Sequence, residues 1–549
     1  MRLTTKTLIL ATLASTLVAP PTRAVNDGAA GSMRQTPSFR RPRGAVITPQ
    51  RIDLHVEVRP ELPTILIEAN LTFRVDRATE TVSVFLRPDM SVDVIEDANG
   101  IPLSYRKRQS RLQISTPSLD AGEITTWRFR YRATFDTSLE ERGQIRLTTT
   151  WYPHLRITPS PDEFLRFVPM QMSLTTTLPD PWVLVSSGTN TITEKNGSTT
   201  YSWRDSVPNQ TIPLVIGHFV EDTKLDSIGF VRAFFDPQNK ALTKSYVEYI
   251  ASVATFFSEQ IGVLSRRSWN LVAVDLPETM RGLTLPGMTL LDANTVNQDM
   301  AFPYRLLAHE IAHQWWNAYI EIPRGQDAWL REGLPTYSSL MFLENEYGTH
   351  MMRQELDRSK RIALSITSPE PLANGFGMSS QEAIYALNYH KAAVVLHMLR
   401  KIMGRNNFTK LIRTLHNLEE DLTTPVFLRL AEEVYAADLS WFFNAWLRSA
   451  DVPSFHVRYG YKRVEARVPR YELRGVIEQR GAEIRYPVRI QVSLEAAPPL
   501  ETIVWIEPGG TDFNISLPSP PTGLHFDPEG DLLYRDVSVE ILDAFNAAR

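Results

Sequence analysis

His309-Glu310-Ile311-Ala312-His313 places two imidazoles four residues apart around a carboxylate, the pattern H-E-x-x-H. An α-helix turns about 100° per residue, so the two rings stand one above the other, roughly 6 Å apart at Cβ. They can share one metal ion, and Glu310, beside His309, can take a proton from a water at the same spot. Leu307, Ile311 and Trp315 recur every four residues on roughly the opposite side. The spacing therefore predicts a helix with Pro303 in its first turn, running to Tyr319, apolar behind and chemical in front.

A catalytic zinc needs three protein ligands and an open fourth position. Glu332 is the candidate third ligand: it opens a second helical pattern, through Tyr337, Leu340 and Leu343, that stops at Gly348. Two antiparallel helices joined by a short loop would return it to the histidine pair. Asp327 stands where the N-cap of that second helix belongs, and Pro335 lies early enough to cost little helical bonding. The longer pattern H-E-x-x-H-x-x-G-x-x-H fails, since Trp316 and Tyr319 occupy the glycine and third histidine places. That leaves a site of two histidines and one glutamate.

HEIAHQWW (His309 to Trp316), DAWLREG (Asp327 to Gly333) and YHKAAVVLHML (Tyr389 to Leu399) together resemble the zinc aminopeptidases typified by aminopeptidase N, of the gluzincin metallopeptidases. The resemblance implies that Tyr389 polarises the scissile carbonyl opposite the metal; by residue type alone it would begin a core helix. It also implies three folded parts: an N-terminal all-β saddle, a thermolysin-like, mainly helical zinc peptidase domain, and a small C-terminal β-sandwich. The resemblance is to a short bacterial-type member, expected to lack the large helical C-terminal domain of many relatives.

The elements that must position these residues follow in chain order. Arg2 and Lys6 precede an apolar run from Leu8 to Ala19, and Thr22-Arg23-Ala24 offers small residues for cleavage, so residues 1–24 read as a signal peptide and 25–45 as a flexible lead-in. The expected location is secreted or periplasmic. Residues 46–221 alternate with period two, as at Ile52, Leu54, Val56 and Val58, or at Trp127, Phe129, Tyr131 and Ala133, the mark of half-buried antiparallel strands. Trp151-Tyr152-Pro153 lies among them and reads by residue type as core. Residues 222–451 take helical periods, beginning with Tyr246–Ile261 and interrupted by a strand over Leu271–Val274. Thr424-Pro425 reads as a capping residue followed by proline opening a late helix. Residues 452–549 return to alternation at Val488, Ile490, Val492 and Leu494, a multidomain α+β organisation overall.

Composition narrows the partners. The 549 residues are 43% hydrophobic and 22% charged, with a formal net charge of -4, which argues against nucleic acid as a partner. No stretch after the signal is long enough for stable membrane insertion. With no cysteine, disulfides and thiolate ligands are excluded and Zn2+ must be held by histidine and carboxylate. The expected function is a zinc-dependent metallopeptidase on peptide substrates, most readily an aminopeptidase. Two alternatives stay open: a zinc hydrolase or peptidase without a strict requirement for a free N-terminus, and an inactive binding protein of the same fold. Family members carry G-x-M-E-N upstream of the metal helix, where the glutamate binds the substrate amine. Here that stretch reads Arg281 to Thr289 and places Thr284 at the glutamate position. Thr284 cannot neutralise an ammonium, so a weakened amine requirement is expected unless Glu278 folds back to replace the missing carboxylate.

Overall fold

The computed structural model describes residues 46–156, 167–205, 207–296, 301–465 and 470–542. The signal peptide and lead-in lie outside the described residues. The alternating segments form strands: Ile47–Val58 and Thr64–Val75 pair antiparallel at the middle of a seven-stranded sheet. Ile52, Leu54 and Val56 point inward at 0–2% exposure. On Ile124–Thr134 the intervening Arg128, Arg130 and Arg132 face out and meet Glu68, Glu96 and Asp93 in surface ion pairs, which contribute little to stability. Trp151 and Tyr152 are fully buried; the indole donates to Ile212 O at 2.8 Å and the phenol to Gln210 O at 2.8 Å. These core aromatics thereby hold the segment around Gln210, whose importance appears below.

A five-stranded sheet divides the two hydrophobic cores. Its order is Val220–Asp226, Gly229–Phe235, Ser268–Val274, Met288–Asp292 and Gly282–Leu285, the last antiparallel and at the edge. Val231, Ala233, Leu271 and Ala273 face the helical core, while Phe234, Val272 and Val274 face the N-terminal β core. Being covered on both sides explains why Ser268–Val274 is buried throughout and why Leu271–Val274 reads as an apolar run rather than an alternation.

The helix expected from Tyr246 begins earlier, at Lys240, behind a short Pro237–Asn239 turn capped by Asp236. The larger departure is in the histidine helix. It spans Tyr304–Ala312 with Pro303 as N-cap, and the chain leaves the helix after His313 instead of continuing to Tyr319. Ala318 N donates to His313 O at 3.1 Å, Ile320 N donates to Trp315 O at 2.8 Å, and Asn317 takes φ 88°. The two buried indoles explain the turn. Trp315 Nε1 donates to Gly262 O at 2.7 Å and Trp316 Nε1 to Ser338 Oγ at 2.9 Å, so each buried donor finds a partner.

The second helix, Ala328–Tyr347, ends at Gly348 as expected. Asp327 occupies the capping position but makes no side-chain cap bond there. It accepts instead from Thr424 N and Thr424 Oγ1, both at 2.7 Å, tying the start of this helix to that of Thr424–Tyr435. The cap of that later helix is Thr423, one residue before the position expected from sequence. Beyond it lie a sheet built on Ser454–Val464 and Arg470–Arg480 and a second built on Tyr486–Leu494. Val488, Ile490 and Val492 are buried in a core continuous with the helices. Asp531 reaches His397 and Lys401, each at 3.0 Å, across this junction.

Candidate metal centre

His309 and Glu310 sit on the last turn of their helix, His313 closes it, and Glu332 lies on the first turns of the next. The three candidate ligands converge: His309 Nε2 and His313 Nε2 are 3.1 Å apart, and Glu332 Oε2 lies 3.8 and 3.4 Å from them. A tetrahedral zinc with ligands at 2.0–2.1 Å would separate its donors by about 3.3 Å, so the triangle is of the right size. The His309 tautomer suits a metal. Thr336 Oγ1 gives its proton to Glu332 O at 2.7 Å and so must accept from His309 Nδ1 at 3.2 Å, leaving the Nε2 lone pair for a metal. His313 Nδ1 lies 3.3 Å from Trp316 O, to which it can donate, and 2.8 Å from Asn317 Nδ2, from which it can accept, and a metal on Nε2 requires the first of these.

Electrostatics separate the two rings: burial lowers His313, but the hydrogen bond and charge of Glu332 outweigh it and hold it above the ordinary imidazole value, so a metal must displace its proton. Burial would raise the Glu332 carboxyl, but the hydrogen bond and charge of His313 outweigh it and hold it at about 2. Burial, then the neighbouring His313, pushes His309 well below the ordinary imidazole range. The site therefore offers an ionised carboxylate and a neutral imidazole, and these residues fit zinc.

Glu310 faces the edge strand Gly282–Leu285. Thr284 Oγ1 lies 2.9 Å from its Oε2 and 2.8 Å from its backbone O. Burial raises the Glu310 carboxyl, and His313 and the Thr284 hydroxyl offset this only in part. Gly282 makes room: a Cβ there would stand 2.5 Å from both Cδ and Oε1 of Glu310. Gly282→Ala should therefore displace the carboxylate, lowering kcat about 10²-fold while zinc content stays unchanged. Full turnover in that variant, measured beside metal analysis, would show that the seat of Glu310 is uncritical.

Tyr389 reaches the site from the π-helical turn Tyr385–Lys391, a wide turn of the kind found at functional sites. Its ring stacks on His309 with centroids 5.7 Å apart. Burial first, then the carboxylates Glu332 and Glu310, push its phenol far above the ordinary value, so it stays a donor at neutral pH. Its neighbours in sequence face elsewhere: His390 lies against Arg305 and Ser359, and Lys391 donates to Ser449 O at 3.3 Å.

All five residues line one cleft of about 1020 Å³, whose walls include Thr284 and, from the N-terminal β region, Gln210 and Thr211. Glu278 is exposed and does not line it, so the structure leaves the expected replacement carboxylate outside.

Residues 283–446 match the peptidase family M1 domain. That stretch, similar to an M1 peptidase domain, contains His309, Glu310, His313, Glu332 and Tyr389. The probable aminopeptidase 2 of Sulfurisphaera tokodaii is 22% identical to it over 218 residues, which cover 37% of this chain and 26% of that protein. The chain thus spans about a quarter of the length of that relative. Among solved structures, aminopeptidase A of Legionella pneumophila in complex with aspartic acid is 15% identical and shares the fold over 90% of this chain and 60% of its own, with TM-score 0.68. A mutant M1 zinc metallopeptidase of Deinococcus radiodurans bound to a Tyr-Ser-Ala substrate is 20% identical, with TM-score 0.55 over 74% of this chain and 94% of its own. Sequence reading alone did not anticipate the contacts of Thr336 or Gly282. Thr336 could have been found as a hydroxyl one helical turn beyond Glu332; Gly282 carries no signal of its contact with Glu310, which comes from another element.

Proposed function

We propose that this protein is a zinc-dependent metallopeptidase that hydrolyses peptide bonds, with removal of N-terminal residues as its leading activity. The observation that carries this is the convergence of His309, His313, Glu332, Glu310 and Tyr389 on one cleft. Zinc, when bound, supplies a Lewis acid for the peptide carbonyl and lowers the pKa of water towards about 7. Glu310 takes the proton of the attacking water and delivers it to the leaving nitrogen; a carboxyl raised by burial is suited to both transfers. The Tyr389 phenol donates to the carbonyl oxygen as negative charge builds there. Gln210 and Thr211 bound the cleft from the β region. The division into an N-terminal saddle, a thermolysin-like domain and a C-terminal sandwich belongs to this reading and is supported by the sheets on either side of the helices. Export to the periplasm or exterior is proposed from Arg2, Lys6, the Leu8–Ala19 run and Thr22-Arg23-Ala24. Among the described residues no helix is long and apolar enough to cross a membrane.

One observation favours a relaxed amine requirement. Thr284, at the expected amine-binding position, is engaged with Glu310, and the cleft's carboxylates among the described residues are Glu310, Glu332 and Glu355, the last paired with Arg305 at 3.1 Å. The test is metal analysis followed by turnover of matched peptides with free and N-acetylated ends. We expect one zinc per chain and cleavage of both peptides, within about tenfold of each other. Cleavage of the free peptide alone would establish a strict aminopeptidase; cleavage of neither by zinc-loaded protein would refute the peptidase reading.

A further inference from the structure

The cleft's charge is unusual for a site that must hold an ammonium. Arg281, Arg305, Arg324, Arg331 and Arg358 line it, against the three carboxylates already committed to the metal, the proton transfer and Arg305. Zinc would add positive charge. Arg305 is tied to Glu355, and Arg331 donates to Ile322 O at 2.9 Å. Arg281 and Arg358 are different: both are exposed, and no hydrogen bond or ion pair joins either guanidinium to another described residue. Arg281 directly precedes the edge strand Gly282–Leu285, along which an extended peptide can pair. Arg358 stands one helical turn after Glu355 on Thr349–Leu364, and so faces the same side.

Resting on the peptidase reading, we propose that the cleft selects peptides carrying a carboxylate near the scissile bond, received by the guanidinium groups of Arg281 and Arg358. A planar guanidinium binds a carboxylate through paired charge-assisted hydrogen bonds, and the surrounding arginines repel a substrate that brings only an ammonium. The carboxylate can come from an acidic side chain or from the C-terminus of a short peptide.

Tripeptides with Glu or Gln in the same position, each with a free or amidated C-terminus, separate the two sources. Turnover is measured with the zinc-loaded protein and binding with its Glu310→Gln variant. Expected is a preference of roughly ten- to hundredfold in kcat/KM, with Kd moving in the same direction. It appears as Glu over Gln for a side-chain source, or as free over amidated for a terminal source. The ratio should collapse towards unity in an Arg281→Gln, Arg358→Gln double variant and shrink as salt rises. Cleavage with ratios within twofold in both arms, or ratios unchanged in the double variant, overturns the charge preference and leaves the peptidase intact. Acid-selective binding without cleavage of any peptide does the reverse. Neither binding nor cleavage by zinc-loaded protein overturns both.

Discussion

Glu310→Gln should keep zinc at one per chain and lose turnover by roughly 10²–10⁴-fold, the usual worth of a positioned general base. The amide fills the same volume against Gly282 and can still accept from the Thr284 hydroxyl, so the surrounding structure has no reason to move. The ligands behave differently. His309→Ala, His313→Ala and Glu332→Ala each remove one of three donors from a triangle whose edges are 3.1–3.8 Å, and each should lose metal and activity together. Metal content by elemental analysis, beside kcat on one peptide, separates the two classes. If Glu310→Gln lost zinc as readily as His313→Ala, the carboxylate would be a ligand and the assignment of the base would fail.

The second large effect is expected at Tyr389. The π-turn brings its phenol to the cleft, more deeply buried than that of Tyr385, and removing one such donor costs on the order of 10²–10³ in kcat with KM little changed. Tyr389→Phe keeps the ring, and so the stacking on His309, while deleting the proton donor. The zinc site should therefore stay loaded. Tyr385, 5.5 Å away between ring centroids and 49% exposed, also lines the cleft. Tyr385→Phe should change kcat far less; a reversed order would transfer the role to Tyr385.

Much of the centre was legible because helical geometry is local. A spacing of four from His309 to His313 puts two rings on one face whatever packs around them, and Gly348 marked the end of the second helix. Period-two alternation likewise announced the strands at Ile52 to Val58 and at Val488 to Val492. The expectation that the histidine helix runs to Tyr319 failed because no propensity within that stretch reports the partners its indoles must find, Gly262 O and Ser338 Oγ, on other elements. Asp327 carried a capping signature, yet its carboxylate satisfies Thr424, almost a hundred residues away in sequence.

By itself, then, the sequence determined the candidate ligand types, the His pair, the carboxylate proposed as base and the starts of the helices that carry them, since each depends on spacings of a few residues along one backbone. Only the tertiary structure decided that Thr284 hydrogen-bonds Glu310, that Gly282 leaves space for that carboxylate, that Glu278 stays outside, and that five arginines from separate segments face one cleft. Those relations join groups far apart in the chain, and their distances are set by how sheet and helices pack around two cores rather than by any local period.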